Sequence, residues 1–147
     1  HRIYRDSHQG KPVIMMQHGL IDSSDVFVLN DRDKAPAFVA ADAGYDIWMP
    51  NHRGNKYSRD HLRLDSNVDA QYWHHSFPEF AKFDMPAFFK YIKNQTGVDK
   101  LTYVGHSQGT IEMFYAMATN PKFINENVNL FVGLGPFATL RNPSPMS

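Results

Sequence analysis

A single serine lies between two glycines in residues 105–109 (GHSQG). This glycine-x-serine-x-glycine spacing is typical of a nucleophilic serine on a sharp turn that joins a strand to a helix. Such a turn strains the backbone of the serine and brings neighbouring backbone close to it. Gly105 and Gly109 are therefore expected where a side chain would clash. The pattern predicts Ser107 as a nucleophile, and the alternative is a serine that only caps the helix.

Two backbone amides are expected to stabilise the oxyanion that forms when such a serine attacks a carbonyl group. The amide of Gln108, the residue after the nucleophile, is the first candidate. The second belongs to the loop after an early strand, where the sequence QHGL at 17–20 lies, and we assign it to Leu20. We expect His18 to shape this turn by hydrogen bonding rather than to transfer protons. His18, Gly19, Gly105, His106 and Gly109 are thus predicted to support the two turns.

The serine motif needs a strand before it and a helix after it, and the sequence predicts both, at 101–104 and 110–119. Apolar runs, with glycine or proline residues at their ends, predict further helices and strands along the chain. The predicted strands are 13–17, 45–49, 101–104 and 129–134, and the predicted helices are 36–43, 76–97 and 110–119. Residues 51–75 are polar and predict a long loop with a short helical turn. This alternation predicts an α/β fold with a mainly parallel sheet covered by helices on both faces.

The second predicted helix has clear signals at its start, middle and end. Ser76 and Glu79 have the spacing of a capping box, Pro86 is expected to bend the helix, and Gly97 to end it. Its apolar residues predict one buried face, which comprises Phe80, Phe83, Ala87, Phe88, Tyr91 and Ile92.

Composition excludes several classes of protein. The 147 residues are 42% hydrophobic and contain 15 basic, 15 acidic and no cysteine residues. The balanced charge predicts no nucleic-acid partner and no anionic membrane surface, and disulfides and thiolate metal sites are excluded. No apolar run approaches the length of a transmembrane helix. His74 and His75 are adjacent and would point in different directions, so we expect no metal, and no cofactor is predicted.

Four segments together carry a resemblance to a known family: QHGL at 17–20, ADAGYDIWMPNHRGNKYSRDH at 41–61, SFPEFAKFDMPAFFKYI at 76–92 and YVGHSQGT at 103–110. The chain resembles the acid lipases, the gastric and lysosomal acid lipase group of the α/β-hydrolases. The resemblance implies hydrolysis of triacylglycerols or steryl esters at a lipid–water interface, with Ser107 as nucleophile and the amides of Leu20 and Gln108 as oxyanion donors. It also implies a secreted or lysosomal location, in which the sequon at Asn94 could be glycosylated.

The triad acid and base of this fold follow the serine in the chain, but every histidine of this sequence lies at or before position 106. We therefore expect residues 1–147 to form the front part of an α/β-hydrolase core, with a cap or lid insertion beginning near 140–147. We then expect the triad acid and base to come from sequence outside these 147 residues. Residues 1–147 alone should be inactive. The alternative is a catalytically inactive, lipase-like protein that serves as a structural or lipid-binding subunit of an assembly.

Overall fold

The computed structural model describes residues 1–7 and 9–139, which form a five-stranded sheet with helices on both faces. The strands in sheet order are β1 (Arg2–Ile3), β3 (Asp46–Trp48), β2 (Val13–Gln17), β4 (Leu101–His106) and β5 (Val128–Leu134). The pairs β3–β2, β2–β4 and β4–β5 are parallel, and β1 is antiparallel to β3. The predicted α/β class and mainly parallel sheet are confirmed. The expected lid insertion near 140–147 lies outside the described residues.

Five α-helices connect or flank these strands. They are α1 (Pro36–Asp42), α2 (Phe77–Glu79), α3 (Met85–Thr96), α4 (Gln108–Thr119) and α5 (Pro121–Asn127). A π-helical turn, Phe80–Asp84, joins α2 to α3, and short 3₁₀ helices lie at Ser24–Phe27 and Ala70–Trp73. The predicted loop at 51–75 is confirmed, with its short helical turn close to the end.

The two faces of the sheet have separate hydrophobic cores. One face packs under α3, α4 and α5, and its fully buried side chains include Met15, Phe89, Tyr103 and Met113. The other packs under α1 and includes Met16, Ala37, Ala41 and Ile47. Adjacent residues of β2, Met15 and Met16, thus point to opposite faces and are buried on both, as in a central parallel strand.

The predicted helix at 76–97 has the expected ends but a different interior. The capping box of Ser76 and Glu79 is formed, and Gly97 ends α3 in the left-handed conformation. Pro86 lacks an amide hydrogen, and the chain accommodates it by widening the preceding turn to Phe80–Asp84.

The wide turn also changes which side chains are buried, so the predicted apolar face is partly wrong. Phe83, Ala87 and Tyr91 are exposed, whereas Ala81, Met85 and Phe89 are buried. A π turn contains more residues than an α turn, and every residue after it is rotated around the helix axis relative to the α-helical expectation.

Three elements were not predicted from sequence: β1, the 3₁₀ helix Ser24–Phe27 and α5. Asn120 and Pro121 follow the predicted helix 110–119, and the chain begins another helix there. Pro121 occupies the first turn of α5, where an amide hydrogen is not needed, and the Asn120 side chain accepts a hydrogen bond from the Phe123 amide at 3.3 Å.

Candidate active site

Ser107 occupies a strained turn between β4 and α4. Its backbone has φ 51° and ψ −114°, in a region that non-glycine residues rarely adopt. Its amide donates to Leu134 O at 2.9 Å, and its carbonyl accepts from the amide and the hydroxyl of Thr110 at 2.9 and 2.6 Å. These bonds hold the strained residue to β5 on one side and to α4 on the other. The residue is half-buried at the carboxyl end of β4.

Two glycines of the motif lie where backbone segments nearly touch. A Cβ atom on Gly105 would lie 2.7 Å from Gly109 O, and one on Gly109 would lie 2.7 Å from Gln17 O. Both contacts are with backbone, which cannot move aside as a flexible side chain would. The start of α4 therefore packs directly against β4 and β2, and this close packing holds the turn at Ser107.

The loop after β2 lies against Ser107. Gln17 is in register with Gly105 on the neighbouring strand, so the two strand ends lie side by side. A Cβ atom on Gly19 would be 3.0 Å from the Cβ of Ser107. Next in the loop, Leu20 is exposed, and Ile21 has φ 56°, which is strained for a β-branched side chain. The structure thus brings the loop and the serine together, and both contain strained backbone.

His18 is a buried, neutral residue that holds this loop. A carbonyl can only accept, so Nδ1 of His18 donates its hydrogen to Gly19 O at 2.9 Å. Nε2 then accepts from the backbone amide of His52 at 3.4 Å and from Nδ2 of Asn55 at 3.2 Å. Burial, reinforced by the nearby His52, lowers the pKa of His18 from its ordinary value of 6.5 to about 4. These contacts connect the loop after β2 to the loop after β3, and a pKa of about 4 keeps the His18 ring neutral near neutral pH.

Beside His18 lies His52, which pairs with Glu112; neither of these buried polar side chains was predicted to belong to the site. Nε2 of His52 donates to Oε2 of Glu112 at 2.8 Å, and the two residues are 3% and 0% exposed. His52 lies in the predicted polar loop 51–75, and Glu112 lies in the predicted helix 110–119. The available signal was that Glu112 is the single charged residue within α4, because a lone charge inside an apolar helix requires a partner.

A cavity of about 720 Å³ opens beside the serine turn. Its wall combines the loop after β2, the start of α4 at Gln108, and the long loop that follows β3. Apolar side chains that line it include Leu20, Ile21, Leu29, Trp73 and Phe80. A pocket with an apolar wall and a few polar groups is the usual form of a small-molecule site.

An ion pair anchors the long loop over this cavity. The backbone amide and the guanidinium of Arg53 both donate to the carboxylate of Asp84, which is buried in the π turn. The same loop carries His75, whose two ring nitrogens are buried and have no hydrogen-bond partner among the described residues. Burial, with a contribution from Arg53, lowers the pKa of His75.

His106 lies half-buried beside the turn, and its Nδ1 also has no partner within residues 1–7 and 9–139. In that part of the chain, no group of three or more His, Asp or Glu side chains is placed to hold a metal ion. No helix of the described residues is long and apolar enough to cross a bilayer.

The family profile described as "alpha/beta hydrolase fold" matches residues 12–147. The chain belongs to the α/β-hydrolase fold family. Within it, this α/β-hydrolase is acid lipase-like. It is 46% identical over 137 residues to mouse lipase member K, 42% over 130 to human lysosomal acid lipase/cholesteryl ester hydrolase, and 42% over 131 to rat gastric triacylglycerol lipase. These matches cover 92%, 88% and 89% of the chain.

The α/β-hydrolase chain spans about a third of the length of these curated relatives, 34%, 32% and 33% respectively. Solved structures agree on the fold. An epoxide hydrolase of Vigna radiata superposes with a TM-score of 0.60 at 19% identity, over 92% of this chain and 35% of that one. An extracellular α/β-hydrolase of a Paenibacillus species superposes with a TM-score of 0.56 at 15% identity, over 88% and 42%.

Proposed function

We propose that the full-length protein is a serine hydrolase of lipid esters and that Ser107 is its nucleophile. The observation that carries the proposal is the contact between two strained turns. Ser107 has φ 51° at the end of β4, and Gly19 of the loop after β2 lies against its Cβ. The cost of a strained, non-glycine backbone is expected where the conformation has a use, as in presenting a hydroxyl group.

The proposed reaction proceeds through an acyl-enzyme. Oγ of Ser107 attacks the ester carbonyl carbon and loses its proton to a base, and the carbonyl oxygen becomes an oxyanion. The amides of Leu20 and Gln108 are the proposed donors to that oxyanion. The tetrahedral intermediate expels the alcohol, which takes up the proton, and water then releases the fatty acid and regenerates the serine. The base and its supporting acid are proposed to come from sequence outside these 147 residues, because this fold orders them after the serine.

A lipid ester is the proposed substrate class for two reasons. The cavity beside Ser107 has a largely apolar wall, with Leu20, Ile21 and Leu29 exposed at its edge, and apolar surface of this kind gains free energy by covering acyl chains. The relatives named above are lipases, two of them named for triacylglycerol and cholesteryl ester. Triacylglycerol or steryl ester is therefore the proposed substrate.

Labelling of the full-length native protein with a fluorophosphonate tests the nucleophile. We expect one adduct, on Ser107, and loss of both labelling and ester hydrolysis in Ser107→Ala. Ser7→Ala, a change at an exposed serine, should label as the wild type does. An unlabelled Ser107 beside a reactive control hydrolase would refute the assignment and favour the alternative, a non-catalytic lipase-like subunit.

Emulsions of triolein and of cholesteryl oleate, compared with a water-soluble nitrophenyl ester, test the substrate class. Hydrolysis of either emulsion with a higher kcat/KM than the soluble ester supports a lipase. Hydrolysis of the soluble ester alone would keep Ser107 as nucleophile and reject the lipid substrate.

A further inference from the structure

The buried pair of His52 and Glu112 lies between the two turns that form the candidate site. His52 follows β3, and Glu112 lies in the second turn of α4. Their hydrogen bond of 2.8 Å is shielded from solvent, and the ring of His52 stacks on Phe80 with 4.4 Å between ring centroids. Nδ1 of His52 is 3.4 Å from Nε2 of Gln17, the last residue of β2. The position of the imidazole is thus restrained on several sides.

This pair contacts the loop after β2 through His18. The rings of His52 and His18 meet edge to face, with 4.7 Å between centroids, and the His52 amide donates to Nε2 of His18. Nδ1 of His18 in turn binds Gly19 O. The Gly19 carbonyl and the Leu20 amide belong to the same planar, trans peptide unit, so a contact that orients the carbonyl also orients the Leu20 N–H in the opposite direction.

The same carboxylate also contacts the other turn. Nε2 of Gln108 donates to Oε1 of Glu112 at 3.3 Å, and Gln108 carries the second amide proposed as an oxyanion donor. The buried Glu112 carboxylate thus accepts one hydrogen bond from Gln108, the residue after Ser107, and another from His52, which itself contacts the loop that carries Leu20.

We propose that His52 and Glu112 are positioning residues that set the relative orientation of the Leu20 and Gln108 amides. The inference rests on the proposed hydrolase function of Ser107. Neither side chain touches the reacting atoms in this role. They act through His18 and Gln108, and their contribution is to hold two donors, which belong to different elements, at the spacing that the oxyanion requires.

Stability alone does not explain the pair. A buried ion or hydrogen-bonded pair often contributes no more stability than apolar residues of the same volume, because both groups lose their hydration. A second pair with a buried carboxylate lies at the opposite end of the sheet, where β3 begins: Arg2, which is partly exposed, binds Asp46 at 2.7 Å. Asp46 is fully buried and has no contact with the candidate site. The Arg2–Asp46 pair is therefore a matched control for structural effects.

The decisive variant replaces both members by apolar residues without a ring, His52→Leu with Glu112→Leu, in the full-length protein. With a soluble nitrophenyl ester we expect kcat to fall about 10- to 100-fold, less than the loss on removal of a whole oxyanion donor, with KM within about twofold. The affinity for an alkyl boronic acid, a transition-state analogue, should fall in parallel. Glu112→Gln, which keeps an acceptor for His52, should retain kcat within about threefold. Asp46→Asn should lower the melting temperature and leave kcat unchanged.

Full kcat and full boronate affinity in the folded double variant would overturn the proposal, as would an equal loss of kcat in Asp46→Asn. If the double variant does not fold, His52→Gln takes its place. It keeps a donor for Glu112 but loses the ring that packs on His18, so it must show the fall in kcat, and wild-type kcat there would also overturn the inference. Ser107→Ala separates the two hypotheses, because hydrolysis that survives in it refutes the proposed function itself.

Discussion

At the scale of single residues, the candidate site depends on positions where the ordinary preferences of the backbone are not followed. Ser107 and Ile21 both have positive φ without being glycine. Gly105, Gly109 and Gly19 lie where an added Cβ would come within 2.7 to 3.0 Å of other atoms. The sequence motif predicted that Gly105 and Gly109 are crowded. It contained no sign of the strain at Ile21, because isoleucine is a residue that a turn with positive φ normally avoids.

His18 gives a prediction for pH at the same scale. Its folded pKa, about 4, is below the ordinary value of 6.5, so between these pH values the unfolded chain binds a proton that the folded chain does not. The free energy of unfolding is therefore highest, as far as His18 is concerned, above pH 6.5. It falls by on the order of 3 kcal/mol as the pH falls from 6.5 to 4. The nearby groups that act on it are His52, which lowers the pKa, and Asp22, which raises it.

NMR titration of ¹⁵N-labelled histidines in the full-length protein checks this prediction directly. We expect a neutral Nδ1–H tautomer of His18 that titrates near pH 4, and we expect the acid-induced loss of stability to be smaller in His18→Asn. A midpoint between pH 6 and 7 would contradict the buried, neutral assignment.

At the scale of elements, local signals predicted where helices begin and end better than they predicted which side chains are buried. Ser76 and Glu79 form the predicted capping box, and Gly97 ends α3 as predicted. The buried face differs because Pro86 is accommodated by a π turn. Periodicity assumes 3.6 residues per turn throughout, and the widening of one turn depends on packing against the sheet and α4, which local sequence does not encode.

The capping box gives a prediction at this scale. The Ser76 amide donates to Oε2 of Glu79 at 2.8 Å, and the Glu79 amide donates to the Ser76 carbonyl at 3.1 Å. Glu79→Ala should lower the free energy of unfolding by about 1 kcal/mol, because the Ser76 amide loses its partner. Glu79→Gln keeps an acceptor and is the matched control, with a smaller loss expected. Urea unfolding measures both, and equal losses in the two variants would show that the contact contributes nothing as a hydrogen bond.

At the scale of the whole molecule, the described chain has an open side at β5. Leu130 and Leu134 of this strand are 55% and 39% exposed, and within the described residues β5 pairs with β4 alone. An exposed strand edge beside uncovered apolar side chains is a surface for association. The chain spans about a third of the length of its curated relatives.

The 147-residue chain expressed alone is therefore expected to aggregate and to show no ester hydrolysis. Light scattering and the concentration dependence of thermal unfolding measure the first outcome, and a nitrophenyl ester assay the second. A monodisperse sample with a cooperative transition would contradict the first expectation. Turnover by this chain that disappears in Ser107→Ala would show that a base within residues 1–147 suffices.

The sequence by itself determined the α/β class, the four parallel strands, the start and end of the helix after the long loop, and the motif around Ser107. These follow from patterns of neighbouring residues, such as apolar runs, caps and glycine spacing. Only the tertiary structure decided that Gly19 lies against Ser107 and that His52 pairs with Glu112, 60 positions away. The physical reason is that a buried polar group needs a hydrogen-bond partner close to it in space. These residues come close together only after β2, β3 and α4 have packed.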